Sequence, residues 1–135
     1  MSFTLEDIQA LRRGAFSERQ VGELPSRELR TLGWRSPLVF LSRDSLRHIN
    51  EAHPDINDFD LLLLPEIIRV GLLVQEMEKS AYLAACYQSD SKRFCAVMKV
   101  STRSRFDIWL VSMRRMRPRQ TQSILKRGRI IRPHK

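Results

Sequence analysis

Two of the chain's three histidines, His48 and His53, stand five residues apart in Leu41-Ser42-Arg43-Asp44-Ser45-Leu46-Arg47-His48-Ile49-Asn50-Glu51-Ala52-His53-Pro54. An imidazole exchanges protons near neutral pH, so acid/base work is the first chemistry to consider. Zinc binding fits poorly. Five residues of helix turn through about 500°, which leaves the two rings about 140° apart, whereas zinc ligands on one helix want a spacing of four. Cys86 and Cys95 are the only cysteines. They lack a CxxC partner pair and suggest reduced thiols rather than a disulfide framework. Five scattered glycines build no phosphate loop, and no GxSxG elbow occurs. These residues call for no metal and no cofactor.

The charge is unevenly divided. Lys92 to Lys135 holds 14 Lys and Arg against one acid, Asp107, whereas Met1 to Ser91 holds 10 against 14 Asp and Glu. Such asymmetry points to a polyanionic partner, most simply nucleic acid, with an anionic membrane surface the weaker option. Two-metal nuclease chemistry wants clustered carboxylates, which the basic half lacks. Metal-independent RNA cleavage remains. A base takes the proton of a 2′-hydroxyl that attacks the adjacent phosphate, an acid protonates the leaving oxygen, and cations stabilise the charge on phosphorus. His48, Lys99, Ser112 and Arg114 match those needs by type. Plainer roles stand beside these: a rim histidine bonded to Asp44 or Glu51, a lysine on a solvated sheet face, and, for His53, a helix C-terminal residue favoured by the dipole.

The elements that must position these groups follow from periodicity. Helices are expected from Thr4 to about Arg13 and from Ser26 to Gly33, then a short strand at Leu38–Leu41. Ser42 can cap the histidine helix, and Pro54 ends it. Phe59 to Val70 should bend at Pro65. Beyond Gly71 the period changes to two, with strands at 72–77, 81–88, 93–101 and 107–113 joined by short polar turns. Consecutive strands of this kind form an antiparallel meander. Pro118 opens a last helix, 119–126, followed by a basic tail, 129–135. The fold class is therefore α+β, with N-terminal helices on one face of a four- to five-stranded antiparallel meander sheet. One domain is the default at 135 residues, with helices over 1–36, a core over 37–117 and a basic helix and tail over 118–135. No apolar run approaches the ~20 residues of a membrane span, and Met1 to Asp7 lacks the plan of a signal peptide. A cytoplasmic protein is expected.

A two-residue turn at Asp90-Ser91 would set Cys86 opposite Cys95 and Tyr82 opposite Lys99. If Thr102 opposes Asp107, Lys99 faces Leu110, Ser101 faces Ile108 and Val97 faces Ser112. Opposed residues share a sheet face. Leu83, Ala85, Phe94, Ala96, Met98, Trp109, Val111 and Met113 then form an apolar face for the helices. Tyr82, Cys86, Cys95, Lys99, Ser101, Ile108, Leu110, Ser112 and Arg114 fall on the other.

The order of these parts also resembles a known group. A strand ending in Ser42, a helix with His48 and His53-Pro54, then Leu64-Pro65-Glu66-Ile67-Ile68, and a meander with Lys99 and Ile108-Trp109-Leu110-Val111-Ser112 look like the phage-associated nucleases of the barnase–EndoU–colicin–RelE (BECR) superfamily. The likeness covers about Val39 to Arg115. It implies helices on an antiparallel sheet and a metal-independent RNase, often a toxin or part of a phage protein. Carried over, His48 is the helix histidine, Lys99 the strand cation and Ser112 the last-strand hydroxyl, with His53 and Arg114 as auxiliaries. The chain departs in having Ser112-Met113-Arg114 where a Thr followed by an aromatic residue is expected, and in its basic extension. The expectation is an RNA endonuclease acting on tRNA or mRNA. Tyr82, Ser101, Arg115, Arg117, Arg119, Lys126 and Arg127 would hold the substrate, and an acidic antitoxin or immunity protein would be a partner. The alternative is a nucleic-acid-binding or phage accessory protein of the same fold without turnover.

Overall fold

Local signals start each helix. Thr4 forms a reciprocal capping box with Asp7, satisfying free N–H groups at the start of α1 (Leu5–Arg12). Gly33, in the left-handed conformation (φ 71°), stops α2 (Ser26–Leu32). The Ser45 N–H donates to Ser42 Oγ at 3.0 Å, which opens α3 (Arg43–Ala52), and His53 is its C-cap. Asn57 and Asp60 cap α4 (Asp58–Leu61), and Pro65 sits in the first turn of α5 (Leu64–Val70). The computed structural model describes residues 2–102 and 106–133. Arg103 to Arg105, in the expected 102–106 connection, and His134 and Lys135 of the expected tail lie outside them.

The strands are β1 (Glu18–Glu23), β2 (Leu38–Ser42), β3 (Leu72–Glu76), β4 (Tyr82–Ser89), β5 (Lys92–Val100), β6 (Ile108–Arg115) and β7 (Gly128–Arg132). They make one seven-stranded sheet in the order β1-β2-β6-β5-β4-β3-β7. Every pairing is antiparallel except β2 with β6. The fold is thus α+β with a mostly antiparallel sheet, and the meander β3-β4-β5-β6 lies at its centre. The expected four to five strands are corrected to seven among the described residues. β1 is a polar segment in which Val21 and Gly22 alone are buried, so neither period marks it. β7 comes from the expected basic tail. Arg132 there donates to the carbonyls of Gly71 and Ile68 at 2.9 and 2.8 Å, and its guanidinium stands 3.5 Å from the nearly buried Glu28 carboxylate. That arginine ties the fold together.

The main core lies between the sheet and the helices α1 to α5. Ile8, Leu11, Leu46, Ile49, Leu64 and Ile67 pack there with Leu83, Phe94, Ala96, Met98, Ile108, Leu110 and Met113. The last helix, α6 (Pro118–Arg127), lies on the other face. Its Ile124 and Leu125 rest on Leu72, Val74, Cys86, Cys95 and Met116. No helix among the described residues is long and apolar enough to cross a membrane.

Gly128 lets β7 approach β3. A Cβ there would collide with the Val74 side chain and stand 2.8 Å from the Gln75 carbonyl oxygen. Overpacking of this kind destabilises by about 1–3 kcal/mol. Gly128→Ala is expected to lower the urea midpoint accordingly; an unchanged midpoint would mean that β7 does not pack as described.

Candidate nucleic-acid interface

The pairing register assembles one row of side chains across four strands. Phe40 of β2 opposes Trp109 of β6, Trp109 opposes Lys99 of β5, and Lys99 opposes Tyr82 of β4. Directly opposed residues point to the same side, and the neighbours Val39, Leu41, Met98, Ile108, Leu110 and Leu83 all lie in the helix-side core. The row therefore stands on the face away from α1 to α5. The Phe40 and Trp109 rings are 5.6 Å apart, tilted by 37°. The Lys99 ammonium is 5.4 Å from the centre of the Tyr82 ring, and that of Lys79 is 6.0 Å from it. Lys99 is exposed, so its charge stays hydrated and is steadied by the ring face.

A bulge sets this row. Val97 opposes Ser112, but Met98 opposes Leu110, so Val111 has no direct counterpart on β5. The expected pairs Lys99–Leu110 and Ser101–Ile108 are corrected to Lys99–Trp109 and Val100–Ile108. Ile108 and Leu110, expected on the polar face, are fully buried in the core instead. Trp109, expected in the core, stands half-buried on the open face.

The helix α6 covers only the far end of this face. Between it and the sheet is a cavity of about 140 Å³, lined by Tyr82, Ala84, Val97, Arg114, Ile124 and Arg127. On the other side of the row a groove of about 310 Å³ runs along Lys99, Ser101, Thr102, Trp109 and Val111. Arg114 opposes Cys95, and Ser112 opposes Val97, so both belong to the open face. Among the described residues no carboxylate pairs with Lys99 or Arg114.

Cys86 and Cys95 oppose each other under α6. A hydrogen bond from Cys95, helped by the nearby Arg114 charge, holds the Cys86 thiol below its ordinary range despite burial. Donation of that bond and deeper burial push Cys95 well above it.

The other expected site residues divide. Tyr82, Lys99, Ser101, Ser112, Arg114 and Arg127 meet on or beside the open face. Arg117, Arg119 and Lys126 are exposed on α6 or its cap. Arg115 opposes Phe94 and so emerges on the helix side. The placement of His48 over the cationic sheet is corrected. Leu46 and Ile49 seat α3 in the helix-side core, and His48, exposed on that helix, is separated from Lys99, Ser112 and Arg114 by the sheet. His53 is half-buried at the end of α3, its N–H donating to the Ile49 carbonyl at 2.8 Å; it stays on that side too. Phe40 and Lys79 carry no signal of a site in the sequence, and Trp109, whose place in an alternating strand is such a signal, is expected on the opposite face. No known protein-family model, curated protein or solved structure matches this chain.

If α6 is held by Ile124 and Leu125, thinning that contact exposes the thiols. Removing most of the half-buried Ile124 side chain loses on the order of 1–2 kcal/mol. Ile124→Ala is expected to speed thiol labelling about tenfold, Cys86 reacting before Cys95 because the thiolate is the reactive form. Equal labelling rates in the two proteins would contradict the cover.

Proposed function

We propose that this chain binds single-stranded nucleic acid, RNA in the first instance, across the open face of its sheet. The observation that carries this reading is the cross-strand row Phe40–Trp109–Lys99–Tyr82. Bases stack on aromatic side chains whatever their sequence, and nearby cations track the phosphates. A sheet face that presents aromatic rings and cations together, beside an α6 bearing Arg119, Lys126 and Arg127, suits a strand whose bases are unpaired. The bases of a duplex are stacked on one another and leave such rings unused. The basic half that supplies these cations supports the same partner.

The same geometry favours binding over the cleavage expected from the sequence. General acid/base work needs the imidazole within hydrogen-bond reach of the reacting proton. With His48 on the helix side, Lys99, Ser112 and Arg114 can hold a phosphate, but the histidine cannot serve it.

Fluorescence anisotropy with labelled oligoribonucleotides tests the proposal. A single strand is expected to bind more tightly than the duplex of the same length. The logarithm of the affinity should fall linearly with the logarithm of salt concentration, and Lys99→Ala and Arg114→Ala should each flatten that slope by about 0.7. Trp109→Ala removes a stacking partner worth about 1–3 kcal/mol, about 5- to 150-fold in affinity. His48→Ala should leave affinity unchanged. Equal affinity for single strand, duplex and an acidic polypeptide, indifferent to Trp109, would reduce the interaction to bulk charge and reject the proposal.

A further inference from the structure

Resting on that reading, we infer that the cavity beneath α6 is a pocket for one cytidine nucleotide of the bound strand. Its size comes first. Ligand sites for drug-sized molecules begin at about 300 Å³, whereas an apolar cavity of about 150 Å³ accepts a single benzene ring. At about 140 Å³ this half-open cavity is filled by one six-membered ring, and a purine would leave part of its second ring outside it.

The lining comes second. The floor is apolar, built by Val74, Ala84 and Val97 of the sheet and by Ile124 of α6. Tyr82 forms one wall and belongs at the same time to the open row, where it opposes Lys99. A strand lying along the row therefore meets the mouth of the cavity without turning away from the sheet. Arg114 and Arg127 line the same cavity, and two guanidinium groups beside an apolar slot suit the phosphate that a buried base carries with it. Arg127 already spends its Nε on the Ser123 carbonyl at 3.3 Å, which orients the rest of the group.

The third element is Glu76, at the end of β3, which also lines the cavity. An ionised carboxylate only accepts hydrogen bonds. Exposed at the mouth and facing the 4-position of a pyrimidine, it would repel the O4 of uracil and accept from the N4 amine of cytosine, the pairing through which Glu and Asp recognise that base. Cavity size favours one six-membered ring and the carboxylate favours a 4-amine, and cytosine supplies both.

The test compares oligocytidylate, oligouridylate and oligoadenylate, each about ten nucleotides long, by anisotropy at neutral pH and fixed salt. Oligocytidylate is expected to bind about tenfold more tightly than either of the others. Glu76→Gln should remove its advantage over oligouridylate. Ala84→Leu and Ile124→Phe fill the cavity from the sheet side and from the helix side, and each should abolish the preference. Circular dichroism confirms that the variants are folded, and two fillings from opposite walls guard against the misfolding of one. Equal affinity for the three homopolymers, or a cytosine preference that survives both fillings, would overturn the pocket while leaving the sheet-face reading in place. Absence of binding to any oligonucleotide at low salt would remove the sheet-face reading, and the pocket with it.

Discussion

A single extra residue in β6, Val111, decides which side chains the sheet turns to solvent. In a strand every side chain alternates, so a shift of one residue exchanges the faces of everything beyond it. At the Ser112 end of β6 the register keeps Arg114 and Ser112 beside Cys95 and Val97. Past the bulge, Ile108 and Leu110 turn inward to complete the core, and Trp109 turns outward beside Lys99. Without the bulge the strand would bury an indole and present two aliphatic side chains. The aromatic row and the main core are therefore two consequences of one irregularity, and neither forms without the other.

The second constraint is unequal cover. Among the described residues, the helices α1 to α5 shield one face of the sheet, while α6 alone rests on the other and reaches only its far end. An apolar surface left bare invites association. Here the uncovered part is broken up by Lys99 and flanked by Arg114, so it is wet and cationic while still offering aromatic planes. The tail that follows α6 does not extend freely over this surface as far as Arg132. It returns as β7 and fastens its arginine to Glu28 and to the C-terminal carbonyls of α5. The basic character of the chain's second half is thus shared between holding the fold and lining the uncovered sheet face.

Much of this was legible from residue types alone. The Ser42 cap, the stop at Gly33 and the break at Pro65 are local events between near neighbours, and their chemistry is written in three or four residues. The two-residue turn at Asp90-Ser91 likewise determined the pairs Cys86–Cys95 and Tyr82–Lys99, because a tight hairpin leaves one register. What escaped was non-local. Nothing in Glu18-Arg19-Gln20-Val21-Gly22-Glu23 advertises a strand until β2 lies beside it. The parallel contact of β2 with β6 joins residues some seventy positions apart. The bulge at Val111 arises where the longer connection after β5 leaves register to packing, so the face of Trp109 was misjudged. The side of the sheet on which α3 docks is a handedness question that helix periodicity does not address, and this is why His48 was expected over the wrong face.

The functional surface that we propose is the open sheet face and not the helix side. Chemical-shift mapping by NMR addresses it directly, in isotope-labelled protein titrated with a short single-stranded oligoribonucleotide. The largest changes are expected on the Trp109 indole N–H and on the amides of Tyr82, Lys99, Ser112 and Arg114, with α3 silent. Changes concentrated on Arg43, Arg47 and His48, with the Trp109 indole unmoved, would contradict it.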